Sequence, residues 1–248
     1  MKETIIQVRN LYAGYNNNAI MENLNFDVQS GEVFVILGGS GCGKSTVLKH
    51  MIGLVPPVSG KVFINGEDMI TAQGEDRNRM LRSIGVAFQN GALFGSMTVL
   101  ENIMLPLAEY TDLPRDAIEA IARVKLDLVH MGHGADLLPD ELSGGMKKRA
   151  AIARAMALDP SILFLDEPSA GLDPLTSAEL DRLILDLAKS LKITFIIVTH
   201  ELESIQTIAD RTIMLGKEAK GIIAQGDPKQ LKQDKSNEYV HRFFNRNP

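Results

Sequence analysis

The sequence predicts an α/β fold: a parallel sheet at the centre, an antiparallel β unit ahead of it and a helical block inserted into it. Three observations carry this expectation. Val33-Phe34-Val35-Ile36-Leu37, Ile84-Gly85-Val86-Ala87-Phe88, Ile162-Leu163-Phe164-Leu165 and Ile193-Thr194-Phe195-Ile196-Ile197-Val198 are short apolar runs. Runs of that length without alternation suit strands buried on both faces of a parallel sheet. Leu24, Phe26 and Val28 instead alternate with polar residues, as a half-buried antiparallel strand does. Residues 90–157 show no strand pattern and read as helices interrupting the core.

A length of 248 residues suits one large domain, or one with an insertion, and is enough to bury a sizeable core. A net charge of −5 argues against a general nucleic-acid binder. The single cysteine, Cys42, excludes a disulfide framework and suits a reducing compartment. Met1-Lys2-Glu3-Thr4 leads into a strand rather than a signal peptide. The longest apolar runs are far too short to span a bilayer, so any membrane work needs other chains for the membrane part.

Residues 3–9 read as a strand with Ile6 and Val8 on one face, and Asn16-Asn17-Asn18 as a turn. The strand ending at Leu37 runs into Gly38-Gly39-Ser40-Gly41-Cys42-Gly43-Lys44-Ser45-Thr46, and a helix follows over Thr46–Ile52. This matches G-x-x-x-x-G-K-[ST] in the strand–loop–helix setting that a phosphate-binding loop requires. Its glycines let successive backbone N–H groups turn inward around an anion. The helix start adds unpaired N–H groups and the positive end of the dipole. In such a loop Lys44 reaches the β- and γ-phosphates, and the Ser45 hydroxyl ligates Mg²⁺. Tyr15 sits in a turn shortly before this loop; it reads either as an ordinary surface aromatic or as a platform for adenine.

Pro56-Pro57-Val58-Ser59-Gly60 breaks the chain, Lys61–Ile64 is a short strand closed by the Asn65-Gly66 turn, and Arg77–Arg82 is a short basic helix. The strand over 84–88 ends at Gln89, a polar residue at the edge where open α/β sheets bind ligands. In the helical block, Met97–Ile103 starts a helix capped by Thr98, with Glu101 three residues on. Pro114 opens another, with Ile118, Ile121, Ala122, Leu128 and Val129 as its apolar stripe. His130 and His133 read as loop or surface residues, since no Cys or carboxylate pattern accompanies them.

Leu142-Ser143-Gly144-Gly145-Met146 comes next, with Ser143 capping an Ala-rich helix that Asp159-Pro160 ends. A serine and two glycines at a helix start suit a second anion site, in a field raised by Lys147, Lys148 and Arg149. The same residues also read as a plain helix cap. Ile162–Leu165 runs into Asp166-Glu167. A carboxylate at the tip of a buried strand is placed to hold Mg²⁺, and its neighbour to deprotonate an attacking water. Asp173 caps the next helix with Pro174 at its first position, and Leu180, Leu183, Ile184, Leu187 and Leu191 form its buried face. His200 follows the last apolar strand, on the sheet edge of Gln89 and Asp166, in reach of a γ-phosphate. Residues 211–225 suit a hairpin. The tail holds a Lys-rich helix and then Tyr239, Phe243 and Phe244, which either pack on their own domain or dock on a partner chain.

In order and spacing these motifs resemble an ABC-type ATPase subunit over about residues 3–228. The resemblance implies a P-loop NTPase (RecA-like) core with an N-terminal antiparallel β subdomain. A helical subdomain is inserted at about 90–157, and residues 229–248 form a tail. It implies ATP and Mg²⁺ as ligands, with Mg²⁺ held through Ser45, Gln89 and Asp166. Glu167 is then the general base and His200 the γ-phosphate sensor, while Lys44 and Gln89 complete the catalytic set. Tyr15 becomes the adenine stacker. A head-to-tail homodimer sandwiches two ATP molecules, each held by one phosphate loop and the partner's Ser143 and Gly145, and Asp173 counts among the nucleotide-binding residues. Met146 departs from the family's usual Gln at a variable position. Gln89-Asn90-Gly91-Ala92-Leu93-Phe94, continuing through Met97-Thr98-Val99 to Pro106-Leu107, with Gly145-Met146, is similar to ATPases of Mla-type phospholipid transport systems. That likeness implies an integral permease, a lipid-binding MCE-domain protein, often a small STAS-domain protein, and a peripheral place on the cytoplasmic face of the inner membrane. Importers of other solutes, and lipoprotein or lipopolysaccharide exporters, share much of the segment. A soluble ABC ATPase on ribosomes or nucleic acid would ordinarily carry two cassettes or a coiled coil, and no nucleic-acid partner is expected.

Overall fold

The structure, a computed structural model, describes residues 3–245, so Met1 and Lys2 of the N-terminal reading lie outside it. In chain order, β1 (Thr4–Tyr15) and β2 (Asn18–Gln29) form a hairpin that leads into β3 (Val33–Gly38) and α1 (Lys44–Met51). Then come β4 (Ser59–Ile64), β5 (Glu67–Asp68), α2 (Gly74–Arg82) and β6 (Ile84–Ala87). The helices α3 (Val99–Tyr110), α4 (Arg115–Leu128) and α5 (Gly144–Ala155) separate β6 from β7 (Ile162–Asp166). The chain closes with α6 (Pro174–Leu191), β8 (Thr194–Thr199), α7 (Leu202–Ile208), β9 (Arg211–Gly216), β10 (Gly221–Gly226), α8 (Pro228–Gln233) and α9 (Glu238–Asn245).

Two sheets result. One is antiparallel in the order β2-β1-β4-β5; the other runs β10-β9-β3-β8-β7-β6. From β9 to β6 every neighbouring pair is parallel, so the strands end on one shared edge. The unbroken apolar runs are explained by two-sided burial. Val33, Val35 and Leu37 join a core with α3 to α7, while Phe34 and Ile36 join a second core with the antiparallel sheet and α1. Leu163 and Leu165 face the first core, Ile162 and Phe164 the second.

Local signals held at the helix starts. Thr98 and Glu101 form a capping box, Ser143 accepts from Met146 N at 3.3 Å, and Asp173 accepts from the Leu175 and Thr176 amides. Several extents differ from expectation. β1 continues to Tyr15 because β2 and β4 pair along its length, past register shifts that absorb irregular residues. The strand pairing also takes in Asn18, which pairs with Tyr15 and leaves Asn16 and Asn17 as the left-handed turn residues. Helix α1 starts at Lys44, and α5 ends at Ala155, short of Asp159. Leu191 is exposed rather than part of the buried face of α6, because the helix ends there and the chain turns through left-handed Lys192. The tail aromatics divide: Phe244 is buried with Val240 in the first core, Phe243 packs against it, and Tyr239 is exposed.

Asp181 is the one apolar-face position of α6 that carries a charge, at 5 % exposure. Burial pushes its carboxyl up to about 6, with the field of Glu201 adding and a Ser204 hydrogen bond opposing. The native state therefore binds this proton more tightly than the unfolded chain, and its contribution to stability falls as pH rises from about 4 to about 6. Asp181→Asn is expected to raise the unfolding free energy by about 1–3 kcal/mol at pH 8 and to change it little at pH 4. Urea denaturation at the two pH values checks this; a gain equal at both would refute the assigned cause.

Candidate functional site

The shared sheet edge gathers most of the expected residues. β3 delivers the glycine-rich loop, β7 ends at Asp166 with Glu167 the next residue, β8 is followed by His200, and Gln89 lies just past β6. Gly41 and Gly43 adopt φ of 72° and 103°, left-handed conformations that glycine takes without strain. A side chain at Gly38 would lie 2.6 Å from the Cys42 sulfur and 2.7 Å from the Leu215 carbonyl, so the loop is packed from below. Cys42 is buried there.

Lys44 is buried and folds over its own loop, donating to Gly38 O at 3.0 Å and Gly39 O at 3.2 Å. It also lies 3.8 Å from Glu167 Oε1. Ser45 Oγ donates to Asp166 Oδ1 at 2.9 Å. Burial holds the Asp166 carboxyl above the usual carboxylate range, opposed by that hydrogen bond and by Lys49 and Lys44, while Glu167 adds to the rise. Glu167 has φ 49°, and its amide donates to Val198 O at 2.8 Å. His200 Nδ1 donates to Glu167 Oε1 at 2.9 Å. The other carboxylate oxygen, Glu167 Oε2, is buried without a partner. The Ser45 hydroxyl paired with the Asp166 carboxylate is a set of hard oxygens, which fits Mg²⁺ bound together with phosphate.

Tyr15 ends β1, exposed, on the hairpin that packs against the start of α1. Ile20 Cγ2 of that hairpin would lie 3.0 Å from a side chain at Gly43. Ser143 and Gly145 are placed elsewhere. A Cβ on Gly145 would meet Thr176 at 2.6 Å and one on Gly144 would meet Leu172 at 3.4 Å, so this loop abuts the Asp173 turn. Asp173 is held by Thr176 Oγ1 at 2.5 Å, and hydrogen bonds from Thr176 keep its carboxyl below the usual range. Of the remaining loop residues, Thr46 is half-exposed and Ser40 exposed.

Two of the three cations that start α5, Lys148 and Arg149, are committed to nearby acceptors. Lys148 lies on the inner side of α5 at 8 % exposure and donates to Gln89 O at 2.6 Å and Glu167 O at 2.8 Å. Burial lowers its pKa, with Glu167 and Asp166 opposing. Arg149 turns to Val129 O and Glu179. Further along α5, Arg154 donates to Ala92 O at 2.7 Å and Gly91 O at 3.0 Å. One helix thus clamps the chain after Gln89 from two points. Sequence reasoning had no signal for this, because the acceptors are backbone carbonyls in another part of the chain.

A glycine loop wrapped on a helix start, with Ser45 bonded to an acid at the end of β7, one strand removed from β3 in the sheet, defines a P-loop nucleotide-hydrolysing fold. Within that class, the ABC transporter family model matches residues 21–170, and the chain belongs to that family as an ATP-binding ATPase subunit. The probable ribonucleotide transport ATP-binding protein mkl of Mycobacterium leprae is 39% identical over 240 residues, covering 97% of this chain and 68% of that protein. The ATP-binding protein MlaF of the Haemophilus influenzae intermembrane phospholipid transport system is 37% identical over 233 residues, covering 94% of this chain and 88% of that protein. Among solved structures, cbiO1 from Clostridium perfringens, part of the ABC transporter complex cbiONQ, aligns with TM-score 0.84 and 31% identity over 94% of this chain and 92% of that chain. The ATP-binding cassette MJ0796, a dimer bound to ADP and phosphate, aligns with TM-score 0.81 and 28% identity over 90% of this chain and 98% of that one. Among the described residues no helix is long and apolar enough to cross a membrane.

Proposed function

We propose that this chain energises a transporter moving phospholipid between the inner and outer membranes of a Gram-negative-type envelope. The observation that carries the proposal is the likeness to MlaF across most of both chains. The segment from Gln89 to Leu107 supports it. In this reading the chain sits peripherally on the cytoplasmic face of the inner membrane, against an integral permease. A lipid-binding MCE-domain protein and a small STAS-domain protein complete the system, and nucleic acid has no part. The likeness to mkl favours a second cargo, ribonucleotide, on the same ATPase.

Two copies pair head to tail, which gives the second anion loop its use. Ser143 and Gly145, set against the Asp173 turn, would close on the nucleotide of the partner, with Asp173 at the seam. The dimeric state of the MJ0796 cassette supports this arrangement. Within each site, Tyr15 stacks on adenine. The amides of residues 38–46 hold the phosphates, and Lys44 exchanges its two loop carbonyls for phosphate oxygens. Ser45, Asp166 and Gln89 would hold Mg²⁺, which supplies charge neutralisation on the phosphates when bound. Glu167 Oε2, free of other partners, takes a proton from the attacking water. His200 fixes the other oxygen of that carboxylate and senses the γ-phosphate. Only tighter binding of ATP to the closed pair than to the open pair can drive the permease.

Tagged Glu167→Gln protein should be pulled from native membranes with ATP and Mg²⁺, and its associated chains and lipids identified by mass spectrometry. Recovery of a permease, an MCE-domain protein and phospholipid is expected. A permease with a solute-binding protein instead would overturn the lipid reading and keep the transporter. Ribosomes or nucleic acid without a membrane protein would overturn both.

A further inference from the structure

His50 lies on α1, the helix that carries Lys44 and Ser45, and its side chain is wholly buried. Both ring nitrogens are engaged by backbone. The Gly14 N–H donates to Nε2 at 3.0 Å, so that nitrogen carries no proton. Nδ1, facing Val55 O at 2.8 Å, must therefore carry the proton and donate it. The ring is a neutral bridge with one tautomer, joining the tip of β1 to the phosphate-loop helix.

What it holds is the tip that presents Tyr15. Gly14 directly precedes Tyr15, and a side chain there would strike Asn18 O at 1.9 Å, so the backbone is close-packed at this point. The Tyr15 ring centroid lies 6.2 Å from that of His50, tilted by 44°. An aliphatic side chain of similar size would fill the space yet leave the buried Gly14 N–H without an acceptor, and the tip would shift to recover one.

We propose that His50 is a positioning residue for the nucleobase: by pinning Gly14 to α1, it sets the distance between Tyr15 and the phosphate loop, so that a base and a triphosphate bind together. This rests on Tyr15 being the stacking residue. The consequence is selective. Phosphate binding depends on the loop amides and Lys44, which His50 does not touch, whereas the affinity supplied by the base depends on the tip.

Two near-isosteric replacements separate the bridge's two ends. Asn at this position keeps a donor for Val55 O and withdraws the acceptor from Gly14; Gln places an acceptor near the former Nε2. Binding of ATP and of inorganic tripolyphosphate would be measured by calorimetry on the full chain, beside Tyr15→Ala, with kcat, KM and melting temperature. His50→Asn is expected to weaken ATP binding about tenfold, the scale of a lost base stack, while tripolyphosphate affinity and kcat stay within about twofold. His50→Gln is expected to stay within about threefold of the native chain for ATP. If His50→Asn weakens both ligands alike, or neither, while Tyr15→Ala weakens ATP alone, the His50 inference is overturned and the stacking role stands. If Tyr15→Ala leaves ATP binding intact, the stacking role falls and the inference with it. Should His50→Asn melt far below the native chain, an ATP loss in soluble His50→Gln equal to that of Tyr15→Ala would also overturn it.

Discussion

Glu167→Gln is expected to lower ATP turnover by about 10²–10⁴-fold while leaving ATP binding in place. The geometry explains both halves. Gln keeps an oxygen for the His200 Nδ1 proton, a contact of 2.9 Å in the native chain, so the turn after β7 keeps its shape. It cannot accept a proton on the atom corresponding to Oε2, the buried oxygen that has no other partner. The 3.8 Å approach of Lys44 loses its charge partner, which leaves Lys44 freer to meet phosphate. Retained hydrolysis, measured by phosphate release under saturating ATP, would remove Glu167 from the role of base. Lost nucleotide binding would show that it holds the site together.

A second large effect is expected at a residue that touches no phosphate. Lys148→Met should lower kcat by about 10–100-fold with KM changed by no more than about threefold. Met keeps the buried stem and removes the ammonium that donates to Gln89 O and Glu167 O. Glu167 holds a left-handed backbone at φ 49°, a conformation that costs about 1–3 kcal/mol and persists only when its surroundings enforce it. Lys148 is one such hold, and it joins the Gln89 chain to the same helix. Its loss would let the Glu167 carboxylate wander while the phosphate loop on α1 stays intact. A fall in ATP affinity as large as the fall in kcat would refute this division, as would unchanged turnover.

Phosphate loop, acid pair and sheet strands were legible because each is local. A glycine loop between strand and helix is contiguous, and the caps at Thr98, Ser143 and Asp173 act within three residues. Apolar runs report burial on both faces whatever they face. The misreadings share one cause. Leu191 was placed in the buried face by periodicity, but a helix end has no next turn to cover it. Lys148 reads in sequence only as one of three cations raising the field at the Ser143 loop, because charge in a sequence does not say which side of α5 faces inward. Asp181 was not singled out, since its raised pKa comes from burial under α7 and not from its neighbours in the chain.

By itself the sequence determined the class of fold, the helix caps and the position of the glycine loop between β3 and α1, because hydrogen bonds of caps and turns are made between neighbours in the chain. Tertiary structure alone decided what the buried polar side chains serve: Lys148 meets carbonyls 59 and 19 positions away, and His50 meets an amide 36 positions away. A buried polar group takes whatever donor or acceptor packing brings to it. Backbone amides and carbonyls are the same at every residue, so no pattern of side chains marks in advance the ones it will find.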